Sequence, residues 1–178
     1  MGTIQVKDKQ FAPLISEEEI LRQVKRVASE INRDYAGKNP LFLSVLNGSF
    51  MFSSDLMKEI TIPCNISFVK LSSYEGTSST GKIKEVIGLK ESIENRHVII
   101  LEDLVDTGLT MKNTLESLGA HNPASLNVCV LLCKPGKLQV PLDLKYVALN
   151  ISDDFIVGYG LDYDGWGRNI REIYQIVK

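Results

Sequence analysis

Histidine, cysteine and tryptophan are scarce in this chain, and each scarcity narrows what it can do. There are two histidines, His97 and His121, and three cysteines, Cys64, Cys129 and Cys133. No two cysteines form a C-x-x-C pair, and with His97 and His121 the only histidine candidates the spacing argues against a zinc site. An odd number of cysteines placed in apolar strands suits reduced thiols used as small apolar side chains, which points to the cytoplasm. No apolar run reaches the length of a membrane span. The opening Met1-Gly2-Thr3-Ile4-Gln5-Val6-Lys7 lacks the apolar stretch of a signal peptide. Charge of one sign is also missing: the net charge is −2 and the pI about 5.7. No basic field therefore points to nucleic acid or to an anionic membrane. No G-x-x-x-x-G-K-[ST] occurs, which excludes a Walker A loop. Repeats, low-complexity tracts and linkers are absent, so the 178 residues are expected to form a single domain spanning 1–178.

What the chain does have is alternation of helix and strand signals. Ser16-Glu17-Glu18-Glu19 reads as a capping box, followed by Ile20, Leu21, Val24, Val27, Ala28 and Ile31 at helical spacing. Gly37 and Pro40 end that helix. Strands are expected at 41–46, 65–71, 85–89, 98–101, 126–133 and 146–150, with a short last one near 174–177. Further helices are expected at 50–60 and 110–118. Strands separated by helices imply right-handed crossovers, hence an α/β fold with a mostly parallel central sheet flanked by helices.

The run from His97 to Met111 carries the most chemistry. Val98-Ile99-Ile100-Leu101 fits a buried parallel strand, and Glu102 and Asp103 sit at its expected carboxyl end, where open α/β sheets bind ligands. Asp106-Thr107-Gly108-Leu109-Thr110 then offers hydroxyls, a flexible Gly and backbone N–H groups at a helix start. Unpaired N–H donors and the helix dipole both favour an anion there. Carboxylates beside such a loop can accept from sugar hydroxyls while the loop holds the phosphate of the same sugar. As a whole, the run resembles the phosphoribosyl-pyrophosphate motif of type I phosphoribosyltransferases.

Three other segments extend the resemblance. Leu46-Asn47-Gly48-Ser49 is a strand-to-helix turn. In the family this position binds pyrophosphate through backbone N–H groups, often with a non-proline cis peptide. This chain has Asn47-Gly48-Ser49 where Lys-Gly-Gly is more usual, which removes a cation from that position. The polar stretch from Ser72 to Ile83 is long for a compact α/β domain. Its resemblance implies a mobile loop that closes over the site, with Ser73 and Tyr74 at its start. Finally, Lys134-Pro135, the string Phe155-Ile156-Val157-Gly158-Tyr159-Gly160-Leu161-Asp162-Tyr163, and Arg168 match the base-binding end of the hypoxanthine–guanine phosphoribosyltransferases in order and spacing. Gly165 and Gly167, flanking Trp166, suggest a loosened approach to Arg168.

The resemblance implies a type I phosphoribosyltransferase fold with a small base-binding hood. It implies transfer of ribose 5-phosphate from phosphoribosyl pyrophosphate to N9 of a 6-oxopurine, with Mg²⁺, in a homodimer or homotetramer. Lys134 would donate to O6, the backbone of Ile156 would read the Watson–Crick edge and Phe155 would stack on the purine. Glu102 and Asp103 would hold ribose hydroxyls and help order Mg²⁺. Asp162 would hold a metal-bound water or accept from the amino group of guanine. Arg168 would grip pyrophosphate, and Asp106 would act on purine N7 as base, or as acid in reverse. Two alternatives stay open: another purine such as xanthine, or an RNA-binding regulator on the same fold.

Overall fold

The computed structural model describes residues 2–73, 83–87, 89 and 91–177. The expected closing loop, including Tyr74, lies largely outside the described residues.

The central sheet has the order β5-β4-β3-β6-β7-β8, made from β3 (Leu41–Val45), β4 (Asn65–Ser73), β5 (Ile83–Ile87), β6 (His97–Val105), β7 (Ser125–Cys133) and β8 (Tyr146–Asn150). β3, β4, β6, β7 and β8 run parallel, and β5 closes one edge antiparallel to β4. The helices are α1 (Glu17–Asp34), α2 (Phe50–Glu59) and α3 (Leu109–Gly119).

Alternation along the buried strands explains the layering, since successive side chains point to opposite faces. Phe42, Ile99, Leu101, Cys129 and Leu131 pack with α1 and α2. Leu41, Leu43, Val98, Ile100, Val128 and Val130 pack with Met111 and Leu118 of α3. Both faces are thus covered, which is why these strands read as continuous apolar runs rather than as alternating ones. Ile99 is fully buried. Ile99→Ala should destabilise the fold by about 2–5 kcal/mol, which urea unfolding followed by circular dichroism checks.

The start of α1 follows the capping signal in part. Ser16 Oγ accepts from Glu19 N–H at 3.2 Å. The Glu19 carboxylate, however, turns along the helix to Gln23 at 2.9 Å and to Arg22.

A second, antiparallel sheet has the order β1-β2-β10-β9, built from β1 (Ile4–Val6), β2 (Lys9–Ile15), β9 (Ile156–Val157) and β10 (Ile173–Ile176). It forms the small hood, with Val6, Phe11, Val157 and Tyr174 as its own core. Three of its strands escape the sequence reading. The β1–β2 hairpin turns at Lys7 with φ +53°, without the Asn-Gly or Asp-Gly that usually marks such a turn. Pro13 lies inside β2, and β9 has only two residues.

Strand order matters for the site. The chain proceeds from β3 outward to β4 and β5, then returns to place β6 on the other side of β3. The β3–β6 boundary is therefore the switch point, where an open α/β sheet leaves a crevice beyond its carboxyl ends.

Candidate active site

β6 runs four residues beyond the expected end at Leu101 and stops at Val105. Glu102 and Asp103 thus lie within the strand, not after it. The cause is β7, which pairs with β6 through Glu102↔Val130, Leu104↔Leu132 and Val105↔Cys133. β3 leaves β6 earlier, the last pair being Ser44↔Leu101. One edge of residues 102–105 is consequently uncovered by β3, and the turn after β3 folds onto it.

That turn is built tightly. The Leu46–Asn47 peptide is cis. A Cβ on Gly48 would lie 1.7 Å from Asp103 Oδ2, so glycine lets the backbone approach the carboxylate where it stands. On the other side, a Cβ on Gly160 would lie 2.0 Å from the Gly48 carbonyl oxygen. Arg168 donates to the Gly160 carbonyl at 2.7 Å, and Gly160 N–H donates to the Arg168 carbonyl at 3.0 Å. A continuous chain of contacts therefore joins the hood, the β3–α2 turn and β6.

Three serines anchor the turn from below. Ser44 Oγ lies 2.8 Å from Ser49 Oγ and 2.7 Å from Ser53 Oγ, and Ser49 Oγ donates to the Val45 carbonyl at 2.6 Å. All three are buried, and these partners satisfy hydroxyls that would otherwise be costly to bury. Sequence reasoning missed this network. Its only signal is a lone hydroxyl, Ser44, in an otherwise apolar strand.

The loop from Asp106 to Gly108 follows directly on β6. Gly108 caps α3 with φ +81°, and Leu138, Val140 and Leu142 close over it. Gln139 N–H donates to the Thr107 carbonyl at 2.9 Å, while Thr107 Oγ1 accepts from Leu109 N–H at 3.4 Å. α3 begins at Leu109, one residue earlier than expected. Leu109 and Thr110 are exposed at the helix start. Val45, Glu102, Val105, Thr107, Gly108 and Thr110 line part of a cleft of about 270 Å³ at this point. Burial, reinforced by Asp103 beside it, pushes the Glu102 carboxyl well above the usual carboxylate range. A cation bound there would reverse that trend.

Lys134 directly follows β7 and is buried. Its N–H donates to the Val105 carbonyl at 3.0 Å, and its Nζ lies 3.4 Å from Asp106 Oδ2. Lys137, which the sequence reading passed over, approaches the other oxygen, with Nζ 3.7 Å from Asp106 Oδ1.

In the hood, Phe155 is 45% exposed, which leaves ring surface for stacking. It stands edge-on to Tyr163 at 5.8 Å and tilted against Phe11 at 6.2 Å. Ile156 pairs with Gln175 of β10, and its side chain is buried. Asp162 is engaged through both oxygens, with Oδ1 2.5 Å from Arg168 Nη2 and Oδ2 accepting from Gly165 N–H at 2.6 Å. The expected loosening at Arg168 is not seen. Asp164 and Gly165 make a tight turn closed by mutual backbone bonds between Tyr163 and Trp166, and the guanidinium is held at two points. Ser73 ends β4, where its backbone pairs with Ile83.

The fold defines a doubly wound α/β protein with its site at the switch point, under a small β hood. A family model for the phosphoribosyl transferase domain matches residues 15–164. Hypoxanthine-guanine phosphoribosyltransferase of Staphylococcus aureus is 41% identical over 161 residues, covering 90% of each chain. The protein of the same description from Aquifex aeolicus is 36% identical over 174 residues, covering 97% of this chain and 98% of that one. A crystal structure of hypoxanthine phosphoribosyltransferase from S. aureus superposes with a TM-score of 0.88 at 40% identity, covering 93% of this chain and 91% of the other. The chain belongs to the phosphoribosyltransferase family, and within it to the hypoxanthine-guanine phosphoribosyltransferases.

Proposed function

We propose that the protein transfers ribose 5-phosphate from phosphoribosyl pyrophosphate to N9 of hypoxanthine or guanine, in purine salvage. The observation that supports this best is the pairing of two halves at one crevice. An anion-binding loop, Asp106–Thr110, follows the strand whose Asp103 packs against the Leu46–Gly48 turn, with a buried ammonium, Lys134, beside Asp106.

Each group has a task that its surroundings allow. The backbone N–H groups at the start of α3, with Thr107 and Thr110, take the 5′-phosphate. Asp103 and Glu102 accept from the ribose hydroxyls. The turn at Gly48 and the free N–H donors of Arg168 take the pyrophosphate; two contacts hold Arg168 in place, and a guanidinium has five donors. Phe155 stacks on the purine, the backbone of Ile156 reads its edge and Lys134 donates to O6. Ser73 and Tyr74 contribute from the segment after β4. In the chemical step the proton leaves N7 for Asp106, and its electron pair stays on the ring. N9 then bonds to C1′, while the C1′–O bond breaks and its electrons leave with pyrophosphate.

Among the described residues no cluster of three or more His, Cys, Asp or Glu side chains could cage a metal. That fits Mg²⁺, which keeps several waters and is shared with substrate oxygens rather than caged by protein. Glu102 and Asp103 would hold it, and when bound it neutralises charge on the leaving pyrophosphate. Asp162, whose carboxylate oxygens each keep a lone pair beyond these two contacts, would accept from a water on the metal. Initial rates test the reading. Turnover should require phosphoribosyl pyrophosphate, a 6-oxopurine and Mg²⁺ together, and activity with no purine present would contradict it.

A homodimer or homotetramer in the cytoplasm completes the proposal. Light scattering checks the assembly. No helix among the described residues is long and apolar enough to cross a membrane, and neither nucleic acid nor membrane is needed as a partner.

Asn47 is exposed, while Gly48 is buried against Asp103. Asn47→Ala should therefore leave pyrophosphate product inhibition within about twofold, since preorganised backbone donors need no side chain. Gly48→Ala forces the Asp103 carboxylate to move off the turn and should weaken pyrophosphate more than Asn47→Ala does. Product-inhibition constants for the two variants decide between backbone and side-chain binding.

A further inference from the structure

Asp106 presents two unlike oxygens. Oδ2 faces Lys134 at 3.4 Å, whereas Oδ1 is buried and has no hydrogen-bond donor. A buried carboxylate oxygen without a donor needs compensation. A second cation reaches it: Lys137, with Nζ at 3.7 Å, on the 3-10 turn Pro135–Lys137 that follows β7. That turn is tied at both ends. Lys137 N–H donates to the Lys134 carbonyl at 3.0 Å, and two residues later Gln139 N–H donates to Thr107, next to Asp106. Lys137 is thus carried by the same segment that closes over the phosphate loop.

We propose that Lys137 is a positioning residue for Asp106, backing its buried oxygen so that the carboxylate stays aimed at the purine. This rests on the reading of Asp106 as the proton acceptor. Lys134 cannot fill the role throughout, because the bound purine draws its ammonium to O6. With Lys134 occupied, Lys137 is the remaining cation at Asp106. The other titratable group lining the cleft is Glu102, a carboxyl that supplies no positive charge. At 3.7 Å the ammonium acts through its field and leaves the lone pairs of Asp106 unbonded. Because Lys137 is about two-fifths exposed, its influence is moderate.

A double-mutant cycle tests this. Lys137→Gln should lower kcat for hypoxanthine by about three- to tenfold, with KM for both substrates within about twofold. Lys137→Arg keeps the charge and should recover most of the loss. In an Asp106→Asn background, Lys137→Gln should cost nothing further, since its target is already neutral. A full additional loss in that background overturns the role of Lys137 and leaves Asp106 as the acceptor. So does a change confined to KM, or a Lys137→Arg variant as slow as Lys137→Gln. If Asp106→Asn alone leaves kcat unchanged, the reading of Asp106 falls, and the proposal for Lys137 falls with it.

Discussion

Asp106→Asn should slow turnover by about 10²–10⁴-fold, the usual worth of a placed general base, while affinity for phosphoribosyl pyrophosphate changes little. The separation follows from the geometry. The loop around Asp106 is held by the Gln139–Thr107 and Thr107–Leu109 contacts and by the packing of Leu138, Val140 and Leu142 over Gly108, none of which uses the Asp106 side chain. Asparagine has the same shape, so the anion cradle should persist. The lost property is proton acceptance. Steady-state kinetics with hypoxanthine, together with a binding isotherm for phosphoribosyl pyrophosphate, check both halves. Weakened binding with unchanged kcat would mean that the residue only shapes the loop.

Lys134→Met should abolish discrimination between 6-oxo and 6-amino purines. The buried ammonium has three donors and no acceptor. A carbonyl O6 satisfies it, whereas an exocyclic amine leaves it buried beside another donor. Sites whose buried polar groups are left unpaired reject the wrong substrate by roughly 10⁴-fold or more. Methionine preserves the apolar stem and approximate volume, so β7 and its bond to the Val105 carbonyl should survive. kcat/KM for hypoxanthine and adenine in wild type and variant gives the ratio directly. The loss should fall mainly on hypoxanthine, which is deprived of its donor. Wild-type protein that used adenine as well as hypoxanthine would defeat the assignment.

Long periodic or continuously apolar segments were legible in the sequence, because burial dictates them. Val98–Leu101 and the five buried positions of α1 read directly as a core strand and an amphipathic helix. The candidate site was legible where a residue type has few other uses, as in the carboxylates 102–103 and 106 followed by Thr107-Gly108. Features set by tertiary partners were not. The extension of β6 to Val105 depends on where β7 lies, and the β1–β2 hairpin depends on pairing with β10, far along the chain. Lys137 shows nothing in sequence beyond a charge near a proline. Its meaning appears only when the turn after β7 brings it to the back of Asp106. Asp162 and Arg168 were each recognised singly, but not as the ion pair they form.

The most direct test is a competition. Equal amounts of hypoxanthine, guanine, xanthine and adenine are mixed with phosphoribosyl pyrophosphate, Mg²⁺ and protein, and the nucleotides are identified by mass while pyrophosphate is counted. The site described here predicts the mononucleotides of hypoxanthine and guanine, one pyrophosphate per nucleotide, and no nucleotide of adenine. Formation of the adenine nucleotide as the main product, or pyrophosphate release with no nucleotide formed, would contradict it.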